Sequence, residues 1–210
     1  MKRLLLLLAV ITTGCASTYQ SAHTLAPNKM QVTADITGAK AFDSNDTTNT
    51  VVAGDVMVRH GLDEGLDGGI RLSRLPSDTG TDTDSMFTVD LKKRISDSET
   101  STVSIDIPLG VIWEENRSDL SNGIIAFTPT LLLGIALDPT TELVFGPKFA
   151  LFINPEESND KTLIGGGASI GIRFSDTERS YGLQPELSLL KVEDTDGAIL
   201  TFGIAVAAGN

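Results

Sequence analysis

Cysteine is almost absent from this chain of 210 residues, since Cys15 is the single example. No disulfide can form within the chain, so its stability must come from packing and hydrogen bonds. Aromatic residues are also scarce, at 5% of the sequence. After residue 15 no apolar run approaches the roughly twenty residues that a transmembrane helix needs. The sequence therefore contains no transmembrane helix.

Positive charge is in short supply as well. Lysine and arginine number 16 against 28 aspartates and glutamates, which gives a net charge of −12. Loss of a leader carrying Lys2 and Arg3 would leave 14 basic residues and a net charge of −14. Nucleic-acid binding needs clustered Lys and Arg to meet the phosphates, so the composition excludes a nucleic-acid partner.

The first residues form a short secretory leader. Lys2 and Arg3 supply the positive start, residues 4–11 are apolar, and small residues occupy 12–14. The apolar run is too short to span a bilayer as a helix, so the segment is expected to direct export rather than to anchor the chain.

The end of this leader, Thr12-Thr13-Gly14-Cys15, resembles a bacterial lipobox. The resemblance implies cleavage before Cys15, acylation of its side chain and sorting to the outer membrane. We therefore expect a signal peptide over 1–14, a lipidated tether over 15–28 and one folded domain over 29–210.

The sequence of that folded domain predicts β-strands throughout. Its segments alternate apolar and polar residues with a period of two, and clusters of Asp, Ser, Thr, Asn, Gly and Pro separate them. Most segments exceed the usual strand length of about 5–6 residues in soluble proteins, and they suffice for the roughly 9–11 tilted residues that cross a bilayer. The ten predicted strands are 29–39, 50–61, 65–74, 85–95, 101–114, 123–137, 141–153, 161–174, 179–191 and 197–208.

The connections between these strands alternate in length. Each even-to-odd connection is a tight turn, such as residues 62–64, whereas each odd-to-even connection is longer, such as residues 75–84. Outer-membrane barrels have short periplasmic turns, longer outer loops and an even number of strands. We therefore predict an all-β fold, an antiparallel up-and-down β-barrel of about ten strands.

Each strand pairs a bulky apolar row with a row of small and charged residues. Alternation alone does not say which row faces outward. In a membrane barrel Ile170, Phe202 and Ile204 would touch lipid; in a soluble lipocalin-like barrel or sandwich they would surround an apolar ligand. The polar rows are rich in Gly, Ala, Ser and Thr, which suits a narrow lumen and favours the membrane barrel.

Two stretches resemble a known group. Residues 60–71, His-Gly-Leu-Asp-Glu-Gly-Leu-Asp-Gly-Gly-Ile-Arg, are similar to a strand–turn–strand motif of small bacterial outer-membrane β-barrel proteins. Residues 22–32 are similar to the entry segment of lipoprotein-type members of that group. The resemblance implies a barrel architecture in the outer membrane and no particular activity.

A membrane barrel of this size would enclose many charged side chains. A narrow lumen forces such charges to pair, because an unpaired buried charge is costly. We expect an ion network centred on Glu186 that fills the barrel rather than conducting. Its predicted members are Lys148, Arg173, Glu186, Arg71, Asp90 and Lys92.

Three prolines occupy equivalent places in three strands, at Pro129, Pro147 and Pro185. Proline lacks the backbone N–H that a β-ladder needs, so it is confined to edges, strand starts and bulges. The pattern predicts either a shared local bend or terminus of pairing, or edge strands of an open sandwich.

Signs of catalysis are weak. The chain has two histidines, His23 and His60, and no triad order can be assembled around them. The acidic loop 78–84 lacks the spacing of a calcium-binding hand. We predict no enzymatic activity, no metal and no cofactor. The expected function is that of a lipid-anchored outer-membrane barrel, in contact with outer-membrane lipid, with a structural role or recognition of an extracellular or envelope partner through acidic loops. The alternative is a soluble periplasmic lipoprotein that binds an apolar ligand.

Overall fold

The computed structural model describes residues 19–42, 47–76, 83–114, 123–154, 161–176, 181–193 and 198–209. Nearly all of these residues lie in strands. The strands are β1 (Met30–Phe42), β2 (Thr47–Asp63), β3 (Leu66–Pro76), β4 (Thr83–Asp97), β5 (Ser101–Glu114), β6 (Ile124–Phe127), β7 (Thr130–Asp138), β8 (Thr141–Asn154), β9 (Lys161–Ser175), β10 (Tyr181–Val192) and β11 (Ala198–Gly209). Across the described ranges there is no helix with the length and apolar character to cross a membrane.

The strands form one closed antiparallel barrel. β1 pairs with β2 on one side and with β11 on the other, which closes the sheet. β6 and β7 share one position in the wall, because both pair with β5 and with β8. The barrel therefore has ten strand positions, and the predicted fold is confirmed.

The two ends of the barrel differ in their connections. At one end the strands are joined by tight turns, such as Glu64–Gly65 between β2 and β3, where Gly65 has a φ of 70° that favours glycine. We call this the short-turn end. The strand ends that flank the longer connections lie at the opposite, loop end. The longer connections themselves, through which we predicted recognition, fall largely outside the described ranges.

The apolar rows face outward. Ile170, Phe202 and Ile204 are 48%, 57% and 45% exposed. The residues that alternate with these apolar rows point into the barrel and are buried. They include charged side chains such as Asp35, Arg59 and Asp90. This distribution is the one expected when lipid surrounds the wall. It does not favour the soluble alternative, which would need the apolar rows inside.

The interior has two zones. The half toward the short-turn end is polar and charged. Toward the loop end the inward-facing side chains form an apolar cluster, which we call the outer apolar cluster. Its members are Ala39, Met86, Ile112, Ala126, Ala150, Phe152, Leu163, Leu190, Val192 and Ile199. These side chains are at most 9% exposed, so they close the loop end of the lumen.

The prolines interrupt the ladders locally. Pro129 lies in the gap between β6 and β7. In the pairing of β10 with β9 the register runs from Leu183 to Glu186 and skips Gln184 and Pro185. The local terminus of pairing that the repeat predicted is therefore observed at Pro129 and at Pro185. The edge-strand alternative is wrong, because the closed barrel leaves these strands without a free edge.

Candidate functional site

The polar half of the lumen contains a stretch of the chain itself. Residues 19–29, which we call the luminal segment, run inside the barrel from beside Thr37 to the short-turn end, where β1 begins. Tyr19, Gln20 and Ala22 are only 1%, 4% and 0% exposed. These residues were predicted to belong to a tether, and the structure places them against the inner wall.

Carboxylates of the wall hold the backbone N–H groups of the luminal segment. The Tyr19 N–H donates to Glu186 Oε2 at 2.8 Å. The Ala22 N–H donates to Glu142 Oε1 at 3.2 Å. The Leu25 N–H donates to Asp67 Oδ2 at 2.9 Å. Hydrogen bonds to a charged acceptor are roughly twice as strong as neutral ones, so these three contacts fix the path of the backbone.

Donors of the wall meet the segment's carbonyl groups. Lys92 Nζ donates to the carbonyl oxygens of Ser21 and His23, at 3.2 and 2.8 Å. Ser104 Oγ donates to the Ala22 carbonyl oxygen. The wall therefore binds both kinds of main-chain group, with acceptors for the N–H groups and donors for the C=O groups.

Side chains of the segment add further contacts. The Tyr19 hydroxyl lies 2.7 Å from Thr37 Oγ1, and Gln20 Nε2 donates to Asp106 Oδ2 at 3.1 Å. Ser21 Oγ donates to Glu142 Oε2 at 2.7 Å. The His23 ring lies 3.2 Å from Thr102 Oγ1. These partners are inward-facing residues of three strands, Thr37 of β1, Thr102 and Asp106 of β5, and Glu142 of β8.

Two glycines of the wall leave space for the segment. A Cβ atom on Gly61 would lie within 1.9 Å of the Ala26 carbonyl oxygen. A Cβ atom on Gly134 would lie within 2.8 Å of the Ala22 Cβ. Ala22 itself packs with Leu132 and Val144 in a small apolar patch. Only a small side chain fits at residue 22.

An arginine-centred cluster lies beside the segment. Arg59 Nη2 contacts Asp67 Oδ1 at 2.5 Å, Asp90 Oδ1 at 2.7 Å and Asp106 Oδ1 at 3.6 Å. Lys92 Nζ lies 3.5 Å from Asp67 Oδ2. One guanidinium thus balances three buried carboxylates, two of which also bind the luminal segment.

The predicted network residues are all buried and inward-facing. Asp90 and Lys92 belong to the Arg59 cluster. Glu186 binds Tyr19 and accepts hydrogen bonds from the side chains of Gln184 and Ser188. In the pairing register, Lys148 lies opposite Gly167, Arg173 opposite Glu142 and Arg71 opposite Met57.

The central role of Arg59 and the entry of residues 19–29 were not predicted. The inward phase of Arg59, Asp67 and Asp106 was readable from alternation, but alternation does not rank charges by their contacts. The luminal segment has no period-two pattern that would assign it to the wall. The polar residues between Tyr19 and His23 were the one available signal that it has polar partners.

No group of three or more His, Cys, Asp or Glu side chains suited to a metal ion occurs among the residues that the structure describes. Both histidines lie at the short-turn end, His23 in the luminal segment and His60 near the end of β2. Cys15 precedes the first described residue. What the site can do chemically is hold an extended peptide.

Comparisons with known proteins agree with this architecture. No protein-family model and no curated protein matches the sequence. An outer membrane channel from Pseudomonas putida F1 is 11% identical, with a TM-score of 0.57, over 92% of this chain and 100% of that one. A bacterial polysaccharide outer membrane secretin is 9% identical, with a TM-score of 0.52, over 88% and 99%. Neisserial surface protein A is 12% identical, with a TM-score of 0.40, over 85% and 96%. The fold is that of outer-membrane β-barrel proteins, as the sequence motifs implied.

Proposed function

We propose that this protein is a non-enzymatic outer-membrane β-barrel, anchored additionally through a lipid on Cys15, with a structural role or recognition through its acidic outer loops. The observation that carries the proposal is the outward apolar surface around a charged interior. A soluble protein would expose the charges and bury the apolar rows. In this orientation the short-turn end faces the periplasm and the loop end faces outward.

The filled lumen supports a role other than bulk transport. The luminal segment occupies the half toward the short-turn end, and the outer apolar cluster closes the half toward the loop end. A porin, by contrast, needs a water-filled channel along its axis.

Membrane insertion is tested by purification. The mature chain should aggregate in plain buffer and should fold in detergent into a species whose mobility in gel electrophoresis changes on heating. A monodisperse β-rich monomer in buffer alone would contradict insertion.

The lipid on Cys15 is tested by metabolic labelling with an alkyne analogue of palmitate. We expect the label on the wild-type protein and on the control S17A, and we expect its loss in C15A. Labelling that persists in C15A, or that never occurs in the wild type, would contradict the anchor.

The orientation of the loops is tested with epitope tags on intact cells. A tag inserted after Asp82 should bind antibody on intact cells, because it lies in a longer connection. A tag inserted in the turn at 139–140 should bind only after the outer membrane is permeabilised. The reverse pattern would contradict recognition through outer loops.

A further inference from the structure

The luminal segment is held as a ligand would be held. Three of its N–H groups meet wall carboxylates, and three of its carbonyl oxygens meet Lys92 and Ser104. These six contacts involve only main-chain groups of the segment, so they depend on an extended backbone and add to the side-chain contacts of Tyr19, Gln20, Ser21 and His23. Such reading of main-chain groups is how sheet edges bind extended peptides of varied sequence.

Apart from the buried side chain of Tyr19, the segment contributes little apolar packing to the core. In the apolar patch around Leu132 and Val144, the segment's contribution is the small residue Ala22. A cavity of about 60 Å³ lies between the segment and the wall, lined by Gln20, Leu25 and Arg173 among others. That volume exceeds the roughly 30 Å³ that one water occupies in the liquid, so the fit is looser than in a protein core.

Part of the wall's charge is organised independently of the segment. Arg59 links Asp67, Asp90 and Asp106 through contacts in which the segment takes no part. We expect this cluster, which includes two of the residues that bind the segment, to persist if the segment left. The outer apolar cluster closes its far end, so an empty site would open only toward the short turns.

From these observations we propose that the lumen is a binding site for an extended peptide, and that the luminal segment is an exchangeable occupant of it. The partner is a polar segment of another envelope chain, presented at the periplasmic mouth. It carries a small residue where Ala22 now sits. This recognition is separate from any recognition through the outer loops.

The test uses the full chain in detergent and a fluorescent synthetic peptide with the sequence of residues 19–29. A22W should eject the resident segment, because residue 22 is 0% exposed and faces Gly134. A26W is the matched control, since Ala26 is exposed. The resident segment competes at an effective concentration on the order of millimolar, so wild type and A26W should bind the peptide at least tenfold more weakly than A22W.

Two further measurements sharpen the outcome. In the A22W background, D67N and E142Q should each weaken peptide binding about tenfold, because each removes a charged acceptor of a backbone N–H. A peptide N-methylated at the positions of Ala22 and Leu25 should bind A22W at least tenfold more weakly. Equal binding of the methylated and unmethylated peptides would overturn recognition of the backbone.

Equal binding by A22W and A26W would overturn the proposal. Hydrogen exchange at the Leu25 amide shows whether A22W has released the segment. Rapid exchange together with tight peptide binding supports the proposal. Continued protection would also overturn it, because it would mean that the segment cannot be exchanged.

Discussion

At the residue scale, the structure depends on how buried charges are matched. Arg59 is 2% exposed and neutralises carboxylates from three strands, Asp67 of β3, Asp90 of β4 and Asp106 of β5. Removing one partner of a buried ion pair is far costlier than removing a surface pair, because the remaining charge stays buried and uncompensated.

Substitution of Arg59 by leucine tests this directly. R59L should lower the free energy of unfolding by about 3–5 kcal/mol, since three carboxylates lose their shared partner. The control is R94L, because Arg94 is partly exposed and pairs with Asp97 at the short-turn end. R94L should cost about 0–1 kcal/mol. Urea unfolding in detergent measures both variants, and similar losses in the two would contradict the central role of Arg59.

Two glycines on β2 make a matched pair for the luminal segment. G61V places a side chain against the Ala26 carbonyl group and should expel this part of the segment, so that the Leu25 amide exchanges at least tenfold faster. At Gly54, on the outer face, a Cβ atom would meet nothing closer than 3.7 Å. G54V should leave the exchange unchanged. Hydrogen exchange is measured by mass spectrometry. Equal exchange rates of the Leu25 amide in both variants would show that Gly61 does not accommodate the segment.

At the element scale, proline determines where the wall is weakest. The β9–β10 ladder skips Gln184 and Pro185, and the wall position between β5 and β8 is divided into two strands at Pro129. A closed barrel has no edge strand where a missing backbone donor would be harmless, so these gaps lie within the wall. They are the places where local opening should be easiest.

Restoring a donor at one gap should strengthen it. P185V supplies a backbone N–H that can complete the ladder, and the net value of such a hydrogen bond is about 0.5–1.5 kcal/mol. Amides of Ile172 and Arg173, opposite the gap, should then exchange more slowly. L187V, on the same outward face, keeps the backbone donors unchanged and should have no effect. Faster or unchanged exchange in P185V would show that the gap does not arise from the missing donor.

Most of the wall could be predicted from the sequence, because strand periodicity is a local signal. All ten predicted strands overlap observed ones, and the phases of Ile170 and Phe202 were readable before their direction was known. The direction itself depends on the solvent around the protein, which alternation does not record. The luminal segment could not be predicted, since its order comes from distant wall residues such as Glu186 and Asp67.

At the scale of the whole molecule, the barrel is sealed twice by different chemistry. The luminal segment is held by hydrogen bonds and charge, and the outer apolar cluster is held by packing. Neither seal depends on the contacts of the other. The loss of one should therefore leave the barrel impermeable.

Planar-bilayer recordings test the double seal. The wild type and A22W should both show no discrete openings, because the outer apolar cluster remains intact in each. The double variant A22W with F152D places a charge among those apolar residues and should produce openings. Openings in A22W alone would show that the outer cluster does not close the lumen, and silence of the double variant would point to a further barrier.

The position of Tyr19 also limits how far Cys15 can lie from the inside of the barrel. Tyr19 lies beside Thr37, seven residues along β1 from Met30. At about 3.4 Å per residue and a tilt of about 45°, this is about 17 Å from the rim of the barrel at the short-turn end. Cys15 precedes Tyr19 by four residues, which reach at most about 14 Å. Insertion of a lipid on Cys15 into the membrane at that rim would therefore pull on Tyr19, so we expect lipid anchoring and occupancy of the lumen to compete within one chain.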